Sequence, residues 1–92
     1  MPRNTQSTSA ESYRQIKPQL GPLQERVLEV LREIGPATDQ EIQRVTGLHS
    51  QTEMPRRNEL VQLDLVRNTG RKKLNPETQR KAIVWEITEK AA

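Results

Sequence analysis

Nine side chains in this 92-residue chain have the types and spacing to grip a polyanion. Ser50, Gln51, Thr52 and Arg56 lie close together and carry hydroxyl, carboxamide and guanidinium groups. Gln51 offers the donor and acceptor that match an adenine edge, and Arg56 offers the paired donors that match guanine. Ser50 and Thr52 suit a helix start, where free backbone amides and the helix dipole also attract phosphate. Arg71, Lys72, Lys73, Arg80 and Lys81 belong to a segment, 67–81, that holds six basic residues against the single acid Glu77. Segregated charge of this kind is the footprint of a surface for nucleic acid or another polyanion. Residues 23–46 instead carry a net charge of −2, which makes them the candidate face for a protein partner.

Other chemistries find little support. The chain has no cysteine, so thiol nucleophiles, disulfides and thiolate zinc sites are excluded. His49 is the only histidine and reads as a loop side chain near a phosphate, not as a metal ligand. No glycine-rich phosphate loop or metal-ligand spacing is present, so neither catalysis, a metal nor a cofactor is expected. Trp85 and Tyr13 are the only aromatic residues and read as packing groups, which argues against a stacking platform for single strands. The apolar runs are too short for a membrane span or a signal-peptide core. With 32% hydrophobic residues, a mean hydropathy of −0.90 and a net charge of +3, the chain supports one domain with a small aliphatic core. The absence of cysteine fits a reducing compartment, and the expected location is cytoplasmic.

Three helices and a hairpin must position these groups. Leu23, Val27, Val30, Leu31 and Ile34 recur at three- and four-residue steps, with Leu28 at the margin, and predict a helix over 22–34. Pro22 suits its first position and Gly35-Pro36 its end. Thr38-Asp39-Gln40-Glu41 is a capping box that opens a second helix over 39–46, with Ile42 and Val45 predicted to face inward. Gly47 supplies a sharp turn, Leu48 a plug for the core, and a third helix follows over 51–63. Pro55 requires that third helix to start near Thr52 or to open with a looser turn. Residues 65–69 and 82–88 predict two strands, with Ile83, Trp85 and Ile87 on one face. Residues 70–81 between them read as a turn-rich basic loop.

The order and the residues resemble the winged helix-turn-helix domain over about residues 20–88. Residues 38–66 are similar to its helix-turn-helix core, Gly47-Leu48 to its turn, and Asn58-Glu59-Leu60 through Leu65-Val66 to its exit into the wing. Residues 71–81 take the place of the wing. The pattern Ser50-x-Thr52-x-x-Pro55-Arg56-Arg57-x-Glu59-Leu60, with Thr69-Gly70-Arg71-Lys72 and Ala82-Ile83-Val84-Trp85, resembles small winged-helix proteins of phages and mobile elements. Two positions depart from the family. Glu53 and Arg57 stand where aliphatic residues are usual. At i and i+4 they can pair, so Arg57 is expected to lay its stem on the core and reach Glu53 or Glu59. Asp64 stands where glycine is usual, and aspartate tolerates the left-handed turn better than most residues.

The expected plan is mainly α with a small β-hairpin, a three-helix winged helix-turn-helix with an extra short N-terminal helix as an option. Residues 1–9 read as a disordered arm, 10–21 as a short helix or linker, 22–88 as the domain, and 89–92 as a C-terminal tail. The resemblance implies double-stranded DNA binding, with helix 51–63 in the major groove and the wing 70–81 on the backbone or minor groove. It fits a transcription regulator or a phage-type replication or recombination accessory, and a monomer. A protein-docking module using the acidic helices of 22–46 is the alternative.

Overall fold

The structure is a computed structural model that describes residues 19–92. The arm expected over 1–9, and residues 10–18 of the short helix or linker expected over 10–21, lie outside the described residues. Helix α1 spans Pro22–Ile34. Gln24 Oε1 accepts from the Gly21 amide at 2.8 Å, and Pro22 removes a donor that the first turn could not satisfy. Val27, Leu28, Val30 and Leu31 are fully buried, whereas Leu23 and Ile34 are exposed. The core therefore meets the two middle turns of α1, and the apolar stripe runs past it at both ends.

Helix α2 spans Asp39–Thr46 and its capping box is formed in full. The Glu41 amide donates to Thr38 Oγ1 at 3.3 Å, and the Thr38 amide donates to Glu41 Oε1 at 2.9 Å. Ile42 is buried, but Val45 faces outward, contrary to expectation. Asp39, Ile42, Gln43 and Thr46 occupy the inward arc of this short helix, and at about 100° per residue Val45 falls beyond its edge. Gly47 then adopts the left-handed conformation (φ 77°), and half-buried Leu48 packs on the core.

Helix α3 spans Ser50–Gln62 and starts two residues earlier than Pro55 alone suggested. The His49 carbonyl accepts from both Thr52 and Glu53 amides, at 3.0 and 2.8 Å, so the opening turn is irregular. Pro55 then costs only the bond to the Gln51 carbonyl, at the exposed start of the helix. Asp64 takes a left-handed φ of 63°, the backbone role expected of it.

The hairpin differs most from expectation. Strands β1 (Val66–Asn75) and β2 (Arg80–Ile87) pair antiparallel, so residues 70–75 and 80–81 are strand and the loop shrinks to 76–79. Lysine is a poor strand former, but backbone pairing does not depend on side-chain type and prevails here. Asn68 pairs with Trp85 and Lys72 with Ile83, so Thr69, Gly70 and Arg71 bulge opposite Val84. The Gly70 and Arg71 amides donate to Asn68 Oδ1 and Thr69 Oγ1, and Gly70 (φ 85°) allows the kink. On its other side β2 is bridged by Ala37, which exchanges two 2.8 Å backbone bonds with Trp85.

Residues 89–92 are not a loose tail. Glu89–Ala91 form a 3-10 turn, Ala91 is fully buried in the core, and Arg32 donates to its carbonyl at 2.8 and 3.2 Å. A stretch too short and polar to show periodicity is held by one methyl group and one guanidinium. Ala91→Asp is therefore expected to destabilise the fold by ~2 kcal/mol or more, because it buries a charge without a counter-ion. Urea unfolding checks this, and a free tail would show no change.

Candidate nucleic-acid interface

What aims α3 is a buried guanidinium. Arg57 Nε and Nη2 donate to Asp39 Oδ1 and Oδ2 at 3.0 and 2.8 Å, and its Cζ lies 3.9 Å from the centre of the Trp85 ring. One side chain thus ties α3 to the first turn of α2 and to β2. The expected burial of the Arg57 stem holds, but its head goes to Asp39 and not to Glu53 or Glu59. Glu53, fully buried one turn earlier, accepts from Gln43 Nε2 at 3.0 Å instead. Burial, together with the hydrogen bond and charge of nearby Asp39, pushes the Glu53 carboxyl up to about 8, against the opposing pull of Gln43 and Arg57. A protonated Glu53 leaves one anion, Asp39, facing one cation, Arg57, and the junction is neutral.

The face of α3 opposite this anchor is open. Ser50, Gln51, Met54, Pro55, Asn58 and Gln62 are exposed, whereas Thr52 is half-buried on the flank. Arg56 is also half-buried. At about 100° per residue it points some 140° round the helix from Gln51. Its Nη2 donates to Glu59 Oε2 at 2.9 Å, and Glu59 in turn accepts from Gln24 of α1 at 2.8 Å. Of the expected α3 groups, Gln51 therefore lies on the open face, Ser50 is exposed about 100° from it, and Thr52 and Arg56 are half-buried. Neither hydroxyl is the N-cap, which is His49. Met54, Pro55, Asn58 and Gln62 share this face but are not among the expected contacts, which come from the helix start and the arginine pair. Counting 3.6-residue turns from Gln51 groups them on one arc, but which arc stays open is set by packing.

The wing cations do not form one patch either. Strand register puts Lys72 and Lys81 on one face of the hairpin, Lys73 and Arg80 on the other, and Arg71 in the bulge. Lys73 Nζ donates to Glu41 Oε2 at 2.5 Å and closes the wing over the start of α2. Burial pushes the Glu41 carboxyl up, but the bonds from Lys73 and the Thr38 amide outweigh it and hold the carboxyl below its usual range. Arg67 pairs with its cross-strand neighbour Glu86. Among the described residues Arg71, Lys72, Arg80 and Lys81 make no such ion pair.

No protein-family model matches this chain, and no curated protein does. Solved structures match it in shape. RV1404 from Mycobacterium tuberculosis superposes with a TM-score of 0.67 at 21% identity, over 92% of this chain and 55% of that one. The MarR family transcription regulator SP03579 gives 0.62 at 17%, over 91% and 51%. The PcaV transcriptional regulator from Streptomyces coelicolor gives 0.58 at 17%, over 90% and 56%. The fold is a winged helix-turn-helix. This chain spans about half the length of these three structures. Within the winged helix-turn-helix, α2 and α3 are the paired helices, α3 is in the recognition position, and β1–β2 is the wing. Among the described residues no helix is long and apolar enough to cross a membrane.

The junction makes two predictions. Arg57→Ala leaves Asp39 buried without its cation and is expected to cost about 3–5 kcal/mol, whereas Arg56→Ala, which breaks a half-exposed pair, should cost under ~1 kcal/mol. Denaturant titration of both variants checks the contrast. Glu53 binds its proton more tightly folded than unfolded, so its contribution to stability is full below pH ~4.5 and is lost as pH rises through about 8. Glu53→Gln keeps a donor toward Asp39 without a titrating group. Its advantage over the parent chain should grow toward alkaline pH, by up to about tenfold in the folding equilibrium per pH unit. Equal unfolding curves at pH 5 and pH 9 would contradict this.

Proposed function

We propose that this chain binds double-stranded DNA as the reading domain of a transcription regulator, with α3 in the major groove and the wing on the backbone or in the minor groove. The observation that carries the proposal is the pairing of an open, polar α3 face with unpaired wing cations. Phosphate contacts supply affinity and register, base contacts supply preference, and here the two are carried by different elements. In this reading Arg71, Lys72, Arg80 and Lys81 meet phosphates from the bulge and from both faces of the wing. Lys73 can join them by leaving Glu41, since an exposed pair of this kind is worth only about 0–1 kcal/mol. Ser50 and Thr52 serve the phosphate at the start of α3, Gln51 faces the bases, and Arg56 on the flank serves the backbone.

Catalysis has no part in this reading. The transcription regulators that share the fold support it, and the phage-like pattern of residues 50–60 fits a replication or recombination accessory within the same DNA-binding activity. The domain acts as a monomer on its site. A protein-docking role would use the acidic surface of α1 and α2, where Glu29 and Glu33 are exposed.

Neutralising four to six phosphates should give a salt slope of about −4 to −5 in log–log form. Replacing Arg71, Lys72 and Lys81 together with glutamate should remove most duplex binding by fluorescence anisotropy. Unchanged binding would end the proposal for the wing. Amide shifts on adding mixed duplex should move residues 50–62 and 70–81 together, whereas shifts confined to 22–46 would favour protein docking.

A further inference from the structure

We infer that the recognition helix reads A·T pairs in the major groove, through the carboxamides of Gln51 and Asn58 with Met54 and Pro55 packed on thymine methyl groups. This rests on the DNA-binding reading above and adds what class of site the domain selects. The open face of α3 holds Gln51, Met54, Pro55, Asn58 and Gln62, and not one of them is charged. Taking Gln51 as the reference, all five point within about 60° of one direction at 3.6 residues per turn. No hydrogen bond within the described residues takes up their three carboxamides.

The chemistry of base edges turns this composition into a preference. Guanine presents two acceptors and is matched by arginine or lysine; cytosine presents a donor and is matched by a carboxylate. Neither match is available on this face. Arg56 points about 140° away, and direction excludes it more firmly than its weak pair with Glu59 does. Glu53 is buried, and Glu59 is held by Gln24 and Arg56. Adenine presents one acceptor beside one donor, which a carboxamide matches in two-pronged fashion, and thymine presents a methyl group suited to an apolar contact. Met54 is exposed at 43%, and Pro55 is exposed beside it. Gln51 and Asn58 lie seven residues apart, about 10 Å along the axis, which spans about three base steps.

Selection of bound sites from random duplexes, followed by anisotropy on the selected site and its variants, tests this. A·T pairs should be enriched in a core of about three positions. Changing a core A·T to G·C should weaken binding about tenfold or more. Changing it to inosine·C should weaken binding as much, because inosine keeps the minor-groove pattern of A·T but shows a guanine-like major-groove edge. Asn58→Ala, at an exposed position, should erase the preference at one base pair while leaving the salt slope on mixed duplex unchanged. Inosine·C bound as well as A·T would place the preference in the minor groove and overturn the inference. Guanine-rich selected sites, or an Asn58→Ala variant that discriminates as the parent does, would overturn it too. Failure to bind any duplex would instead defeat the DNA-binding reading on which it stands.

Discussion

A buried positive charge must have a partner, and that requirement organises this domain. Arg57 meets it with both oxygens of Asp39 and with the face of Trp85. Asp39 opens α2, Arg57 lies midway along α3, and Trp85 is the residue through which β2 is bridged to Ala37. The ion pair demands two near-linear hydrogen bonds, so it tolerates less sliding than an apolar contact of the same size. It fixes how α3 stands against α2 and the sheet, and hence which side of α3 remains open. Replacing such a group by well-packed aliphatic side chains often costs little stability, so its value here is register.

The same economy of charge runs through the rest of the surface. Glu53 avoids a second buried anion by holding its proton. Arg56, Glu59 and Gln24 close a chain at the flank where α3 meets α1, and Lys73 and Glu41 close another where the wing meets α2. Among the described residues, carboxamides without partners gather on the open face of α3, and four cations without ion pairs lie on the wing. Under the proposed DNA binding, the wing would supply adhesion and α3 discrimination, and salt would weaken the first more than the second.

Much of this was legible one segment at a time. The bounds of α1 and α2, the Thr38–Glu41 box and the left-handed turn at Gly47 follow from local chemistry: propensity, capping, φ preference and an amphipathic period. The turn at Asp64 and the burial of Arg57 follow from the resemblance to the winged helix-turn-helix. The errors share a different origin. Spacing alone points Val45 inward, yet α2 has only a narrow contact arc and Val45 is exposed. Residues 70–75 read as part of a turn-rich loop, but pairing with a partner strand overrides that local signal. Ala91 gave no signal, since one buried methyl group in a polar stretch makes no pattern.

The sequence by itself determined where the helices begin and end, that a basic hairpin follows them, and that the chain has the pieces of a helix-turn-helix. Those features depend on neighbours within about four residues. Only the tertiary structure decided that Arg57 belongs to Asp39, that Arg56 is turned to the flank, that the wing cations divide between two faces, and that Asn58 stands in the open. Each of these depends on residues more than ten positions apart, or on which arc of a helix the core covers. A linear pattern does not carry that information, because the packing of α3 on α2 and the strand register choose among several arcs and pairings that the same residues would allow.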